Sequence, residues 1–188
     1  VRIPTLKKVI LIAGGQGAGK TALANHLVSV LPNAIRLSFA DPMRSLVHGM
    51  LGAADEIGLD LPTPVNMRSL LQFLGTDWGR EMDPLLWVKH AQKRVRNLEY
   101  DYVIYDDLRF RNEFDAFTDA IRIRLECSID IRQKRAKYWG NPGHQSENDL
   151  ATYHDKYDAV FDSSGDMAES HMAITSWLIQ RNVVQSIA

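Results

Sequence analysis

The stretch Lys8-Val9-Ile10-Leu11-Ile12-Ala13-Gly14-Gly15-Gln16-Gly17-Ala18-Gly19-Lys20-Thr21 decides the fold. Residues 8–13 form a continuous apolar run with β-branched side chains that ends in glycines, as a strand buried on both faces does. Leu23, Leu27 and Leu31 then recur at every fourth position, which predicts a helix over 19–31. Between the two, Gly14 to Thr21 satisfies G-x-x-x-x-G-K-[ST], once in the chain. Glycines let the backbone bend so that successive N–H groups converge on phosphate oxygens. The start of the following helix adds the positive end of its dipole. On this reading Gly14, Gly15, Gln16, Gly17, Ala18, Gly19, Lys20 and Thr21 bind ATP, with Lys20 at the β- and γ-phosphates and the Thr21 hydroxyl on Mg²⁺.

Outward from this loop, strands are expected at 34–39, 101–106, 121–127 and 159–161. Helices are expected at 42–51, 66–82, 84–98, 113–120, 129–139 and 167–181. Gly52, Gly58, Pro62 and Pro64 mark residues 52–65 as a loop. Strands that alternate with helices predict an α/β fold, a five-stranded parallel sheet with helices on both faces. The expected organisation is one domain over 1–188, interrupted by a helical insertion at 42–99 and a lid at 130–147.

The 188 residues carry 22 basic and 23 acidic side chains, with 45% hydrophobic residues, which argues against wholesale disorder. The near-neutral balance argues against polymeric nucleic acid as a partner. A single cysteine, Cys127, excludes an internal disulfide framework and fits a reducing cytosol. Val9 to Ala13 is too short for a signal-peptide core or a bilayer span. A soluble cytoplasmic protein with no membrane partner is expected, and a homodimer is left open.

A Mg-nucleotide site calls for a carboxylate at the end of a neighbouring strand. Val103-Ile104-Tyr105-Asp106-Asp107 supplies two, of which Asp106 is preferred, to hold the metal's water shell. A kinase acting on an alcohol benefits from a base. One acting on a monophosphate does not, because its acceptor is largely ionised at neutral pH, with a second pKa of about 6. It needs cations that bring two anions together. Arginine outnumbers lysine 14 to 8 here, and the guanidinium fork suits phosphate oxygens. Arg44, Arg68, Arg80, Arg109, Arg111, Arg132 and Arg135 are the candidates.

Over 66–82, Met67, Leu70, Leu71, Leu74 and Trp78 share one face and are expected to be buried. Gln72, Thr76 and Arg80, with Phe73 beside them, form a polar line that could read a base and a phosphate. Arg132, Lys134, Arg135 and Lys137 crowd one helix before a Gly140-Asn141-Pro142-Gly143 hinge, as a closing lid requires. Ser146 is expected to cap the next helix. His144 fits a hydrogen-bonding loop residue better than a site residue.

With these residues assembled, the chain resembles the deoxynucleoside-monophosphate kinases encoded by many tailed bacteriophages. The matching stretches are 14–21, Ser38 to Arg44, Leu70 to Arg80, Asp106 to Glu113 and His144 to Glu147, in family order. The resemblance implies transfer of the γ-phosphoryl group of ATP to a deoxynucleoside 5′-monophosphate, with Mg²⁺, in the host cytoplasm. Arg44, Arg80 and Arg109 match the family's acceptor-side positions, and the full set of expected acceptor contacts is Asp41, Arg44, Arg68, Gln72, Phe73, Thr76, Trp78, Arg80, Arg109, Asn112 and Glu113. Arg132 and Arg135 match its lid, so catalytic roles are expected for Lys20, Arg132 and Arg135, with Thr21 and Asp106 as the metal residues. Animal-type phosphomevalonate kinases are similar at the Trp-Gly segment and at the strand-end Asp followed by arginine. A modified acceptor such as 5-hydroxymethyl-dUMP, phosphomevalonate, or a non-enzymatic nucleotide switch are the alternatives.

Overall fold

The computed structural model describes residues 7–60, 70–71, 73–136, 139 and 149–184. The expectations on Met67, Arg68, Gln72, Lys137, the 140–143 hinge, His144 and Ser146 lie outside the described residues. In chain order the elements are β1 (Lys8–Gly14), α1 (Lys20–Val30), β2 (Ala34–Leu37), α2 (Asp41–Glu56) and a π-helical segment (Phe73–Trp78). Then follow α3 (Gly79–Met82), α4 (Leu86–Asn97), β3 (Tyr102–Leu108), α5 (Arg111–Phe114), β4 (Ile121–Glu126), α6 (Ile129–Arg135), β5 (Ala159–Asp162) and α7 (Met167–Gln180). They divide into two compact units, one of residues 1–37 with 98–188 and one of Ser38–Asn97.

The first unit holds the sheet. Its order is β2-β3-β1-β4-β5, and every pairing is parallel. Ile10, Leu11 and Ile12 in β1 and Val103 and Ile104 in β3 are fully buried. Successive strand residues face opposite sides, so burial at consecutive positions means that both faces are covered. Ile10, Ile12, Ile104 and Ile123 share one core with Leu23 and Leu27 of α1 and Ile174 and Leu178 of α7. Each such side chain contributes about 1.5–3 kcal/mol when fully buried. On the other face, Tyr105 stacks on Phe117 with centroids 5.9 Å apart.

Several expected boundaries shift, each for a local reason. α2 runs through Gly49 and Gly52 to Glu56, because an isolated glycine weakens a helix by only about 1 kcal/mol and does not end it. It stops at Gly58, whose φ of +69° lets its N–H reach Asp55 O while Leu59 N reaches Ala54 O. The helix expected at 113–120 is the single turn of α5, and α6 ends at Arg135 where Ala136 turns extended.

The second unit corrects the expected face of 66–82. Residues 73–78 wind as a π-helix, which shifts the register of the faces. Phe73 and Trp78 are exposed, and the buried positions are Gly75 and Gly79. The Trp87 indole donates to Gly75 O at 2.9 Å, and its ring lies where a Gly79 side chain would be. A Cβ on Gly79 would stand 2.6 Å from Trp87 Cζ2 and 2.7 Å from Leu74 O. Gly79→Ala is therefore expected to destabilise this unit by about 1–3 kcal/mol through overpacking. Gly49→Ala, with nothing within 4 Å, is expected to stabilise α2 by about 0.5–1 kcal/mol. Urea unfolding midpoints of the two variants check this, and a shift of the same sign in both would contradict it.

Candidate functional site

β1 is the central strand, and the chain leaves its carboxyl end through Gly14–Gly19 into α1. β3 and β2 lie on one side of it and β4 and β5 on the other. The carboxyl end of β1 is thus the point where the strand order diverges, the crevice in which open α/β sheets take ligands. Lys20 Nζ donates to Gly14 O at 2.7 Å and Gly15 O at 2.9 Å, so its ammonium is tied to the loop's own carbonyls. Ala18, within the loop, is fully buried, and its carbonyl accepts the Ser163 hydroxyl at 2.9 Å.

Asp106 lies inside β3, which continues to Leu108, and not at the strand end expected from the sequence. The β1–β3 register slips by one residue between Tyr105 and Leu108, a bulge that falls on Asp106 and Asp107. Asp106 shares the face of Ile104, toward α1, and accepts the Thr21 hydroxyl at 2.7 Å. Asp106 is only 5% exposed, and the Arg36 Nε lies 3.4 Å from the same oxygen. Geometry therefore selects Asp106 over Asp107 as the partner of Thr21. Two hard oxygen donors, one carboxylate and one hydroxyl, suit Mg²⁺, which takes few protein ligands and shares the rest with water and phosphate. Among the described residues no group of three or more His, Cys, Asp or Glu could hold a metal by itself.

α6 packs directly on the loop. A Cβ on Gly15 would collide with the Arg132 Nη1 and stand 2.8 Å from its Cζ. At Gly17, with φ +81°, a Cβ would strike the Arg132 backbone, 2.9 Å from its Cα. The Arg132 Nε is buried with no hydrogen-bond partner among the described residues, and the guanidinium lies 5.5 Å from the Trp139 ring centroid. Arg135 has a different setting. It donates to Ser163 O at 2.7 Å and Gly165 O at 3.0 Å, which braces α6 against the turn after β5.

Glu113, taken from the resemblance as an acceptor contact, accepts the N–H groups of Arg109 and Phe110 at 3.0 and 3.1 Å. Its carboxylate is buried and caps the strand-to-helix turn that carries Arg109 and Asn112. In the second unit, Asp41 meets Arg44 at 3.2 Å and Arg94 at 2.7 Å, and Arg44 also donates to the Ser38 hydroxyl. Phe73 and Trp78 are exposed, and Thr76 and Arg80 are half-buried. Sequence reasoning missed Arg36, Arg94 and Ser163. Arg36 had a signal, a charged side chain inside a predicted strand; Ser163 had none.

The fold is α/β, a five-stranded parallel sheet with covering helices. No family model matches the chain, and no curated protein matches its sequence. Solved structures match in fold. Shikimate kinase from Aquifex aeolicus is 12% identical, with 93% of this chain and 98% of that one covered and a TM-score of 0.53. A sugar kinase from Janibacter sp. is 18% identical, covering 97% and 100%, at 0.52. A gluconokinase from Sinorhizobium meliloti is 14% identical, covering 97% and 99%, at 0.53.

Gly17→Ala is expected to weaken ADP binding by about tenfold or more, since it must displace α6 from the loop at the cost of an overpacked contact. Calorimetry on the folded variant checks this, and unchanged affinity would contradict the packing argument.

Proposed function

We propose that the chain is a Mg-dependent kinase that moves the γ-phosphoryl group of ATP onto a deoxynucleoside 5′-monophosphate. The observation that supports the phosphoryl-transfer part of this reading is the Arg132 guanidinium seated at Gly15, whose carbonyl anchors Lys20. A loop that only holds a nucleotide has no need of a second cation there. A loop that transfers the γ-phosphoryl group needs charge compensation as the group leaves its donor.

In this account the loop N–H groups and the α1 N-terminus hold the β- and γ-phosphates. Lys20 and Arg132 neutralise charge that develops on the transferred group. Thr21 and Asp106 would hold Mg²⁺, which supplies Lewis-acid charge at the phosphate oxygens when bound. Arg135 is assigned the bracing of α6, through Ser163 and Gly165. The acceptor is assigned to Asp41, Arg44, Arg68, Gln72, Phe73, Thr76, Trp78 and Arg80, with Arg109 and Asn112; Glu113 positions Arg109. No general base is required, because the attacking oxygen belongs to an ionised phosphate. Asp106 would serve poorly as one, since Thr21 and Arg36 already engage it.

A second reading has specific support: the similar structures are named for shikimate, gluconate and a sugar, which are hydroxyl acceptors. One assay separates the readings. The purified protein is given Mg·ATP with deoxynucleoside monophosphates, 5-hydroxymethyl-dUMP, phosphomevalonate, shikimate or gluconate, and ADP release is followed. Turnover with a deoxynucleoside monophosphate is expected, and Lys20→Ala should lower it at least ~100-fold while the protein stays folded. Turnover only with shikimate or gluconate would replace the acceptor. Nucleotide binding without turnover on any acceptor would favour a regulator.

A further inference from the structure

Asp106 is a buried carboxylate, and a buried charge needs a partner of opposite sign. Among the described residues the cation at hand is Arg36, on β2 beside β3. Its Nε lies 3.4 Å from Asp106 Oδ2, and its Nη1 donates to Asn25 Oδ1 at 3.0 Å. Thr21 and Asn25 are four residues apart on α1 and so share one face. Arg36 is thereby held between that face and the carboxylate. Its side chain keeps 37% exposure against 6% for Asp106, so the guanidinium can withdraw toward water while the carboxylate cannot.

On the metal-nucleotide reading above, on which this inference rests, Mg²⁺ reaches the Thr21 hydroxyl and calls on the same carboxylate. Two cations then compete for one anion. We propose that Arg36 is a resident stand-in for Mg²⁺ at Asp106: a positioning residue that keeps the carboxylate compensated without metal and sets the Mg²⁺ concentration at which nucleotide binds. Its partners are Asp106 and Asn25, and its effect on the metal would run through Asp106. The trade-off is direct, because the charge that stabilises the metal-free protein opposes the incoming ion.

The test measures ADP binding by calorimetry across a Mg²⁺ series, and melting temperature in EDTA and in Mg·ADP. Arg36→Gln is expected to lower the Mg²⁺ half-saturation point about three- to tenfold, the size of a coupling between charged neighbours. Its melting temperature in EDTA should fall below wild type, and Mg·ADP should restore more of it than wild type gains. Arg36→Lys should keep most of the wild-type behaviour. In an Asp106→Asn background, Arg36→Gln should no longer move the half-saturation point. An unchanged or raised half-saturation point in Arg36→Gln would overturn the proposal. Where that variant does not fold, Asn25→Ala frees one anchor of Arg36 and should lower the point in the same direction; no shift would likewise overturn it. Wild-type ADP binding that ignores Mg²⁺ would instead overturn the metal-nucleotide reading itself.

Discussion

The hydrogen bond from the Thr21 hydroxyl to Asp106 is the contact on which the site depends. It joins the first turn of α1 to β3 across the end of β1, and so fixes where the helix N-terminus points. The acceptor is buried, so breaking the bond would leave a charged group short of a partner in the protein interior. Around this bond each neighbour has a defined role: Lys20 is tied to the loop carbonyls, Arg36 offsets the carboxylate, and Ser163 holds the loop from below through Ala18. α6 closes the set, with Arg132 packed where Gly15 and Gly17 leave room.

The sheet was legible because its signal is local. Five apolar segments with strand periodicity and one glycine-rich loop sufficed to define the parallel α/β fold. The loop's partner Asp106 was legible too, although not its place inside β3, since a bulge leaves no mark on hydrophobic alternation. The helical unit was read less well. A period of 3.6 put Trp78 in the core, while the π-winding of 73–78 places Gly75 and Gly79 there and leaves Trp78 outside. Gly79 was visible, but its reason, the Trp87 ring, comes from a different helix. Long-range contacts of this sort cannot be read from spacing. The same holds for Glu113, whose bonds to the Arg109 and Phe110 N–H groups leave no mark on spacing.

Arg132 and Arg135 show how equal residues on one helix part ways. Three positions separate them, and the sequence assigned both to the phosphoryl group. α6 aims Arg132 at the glycine loop and Arg135 at the carbonyls of Ser163 and Gly165. The second arginine thereby braces the helix that carries the first. Charge counting singles out both residues, and only the direction of each side chain distinguishes their contacts.

The central claim is that Gly14 to Thr21 holds the polyphosphate of a Mg-nucleotide. Calorimetric titration of the wild-type protein with β,γ-imido-ATP tests it most directly, with and without Mg²⁺, and again in the presence of inorganic triphosphate. The account predicts saturable one-site binding that strengthens with Mg²⁺ and is displaced by triphosphate. Absence of binding, or binding that triphosphate does not displace, would contradict it.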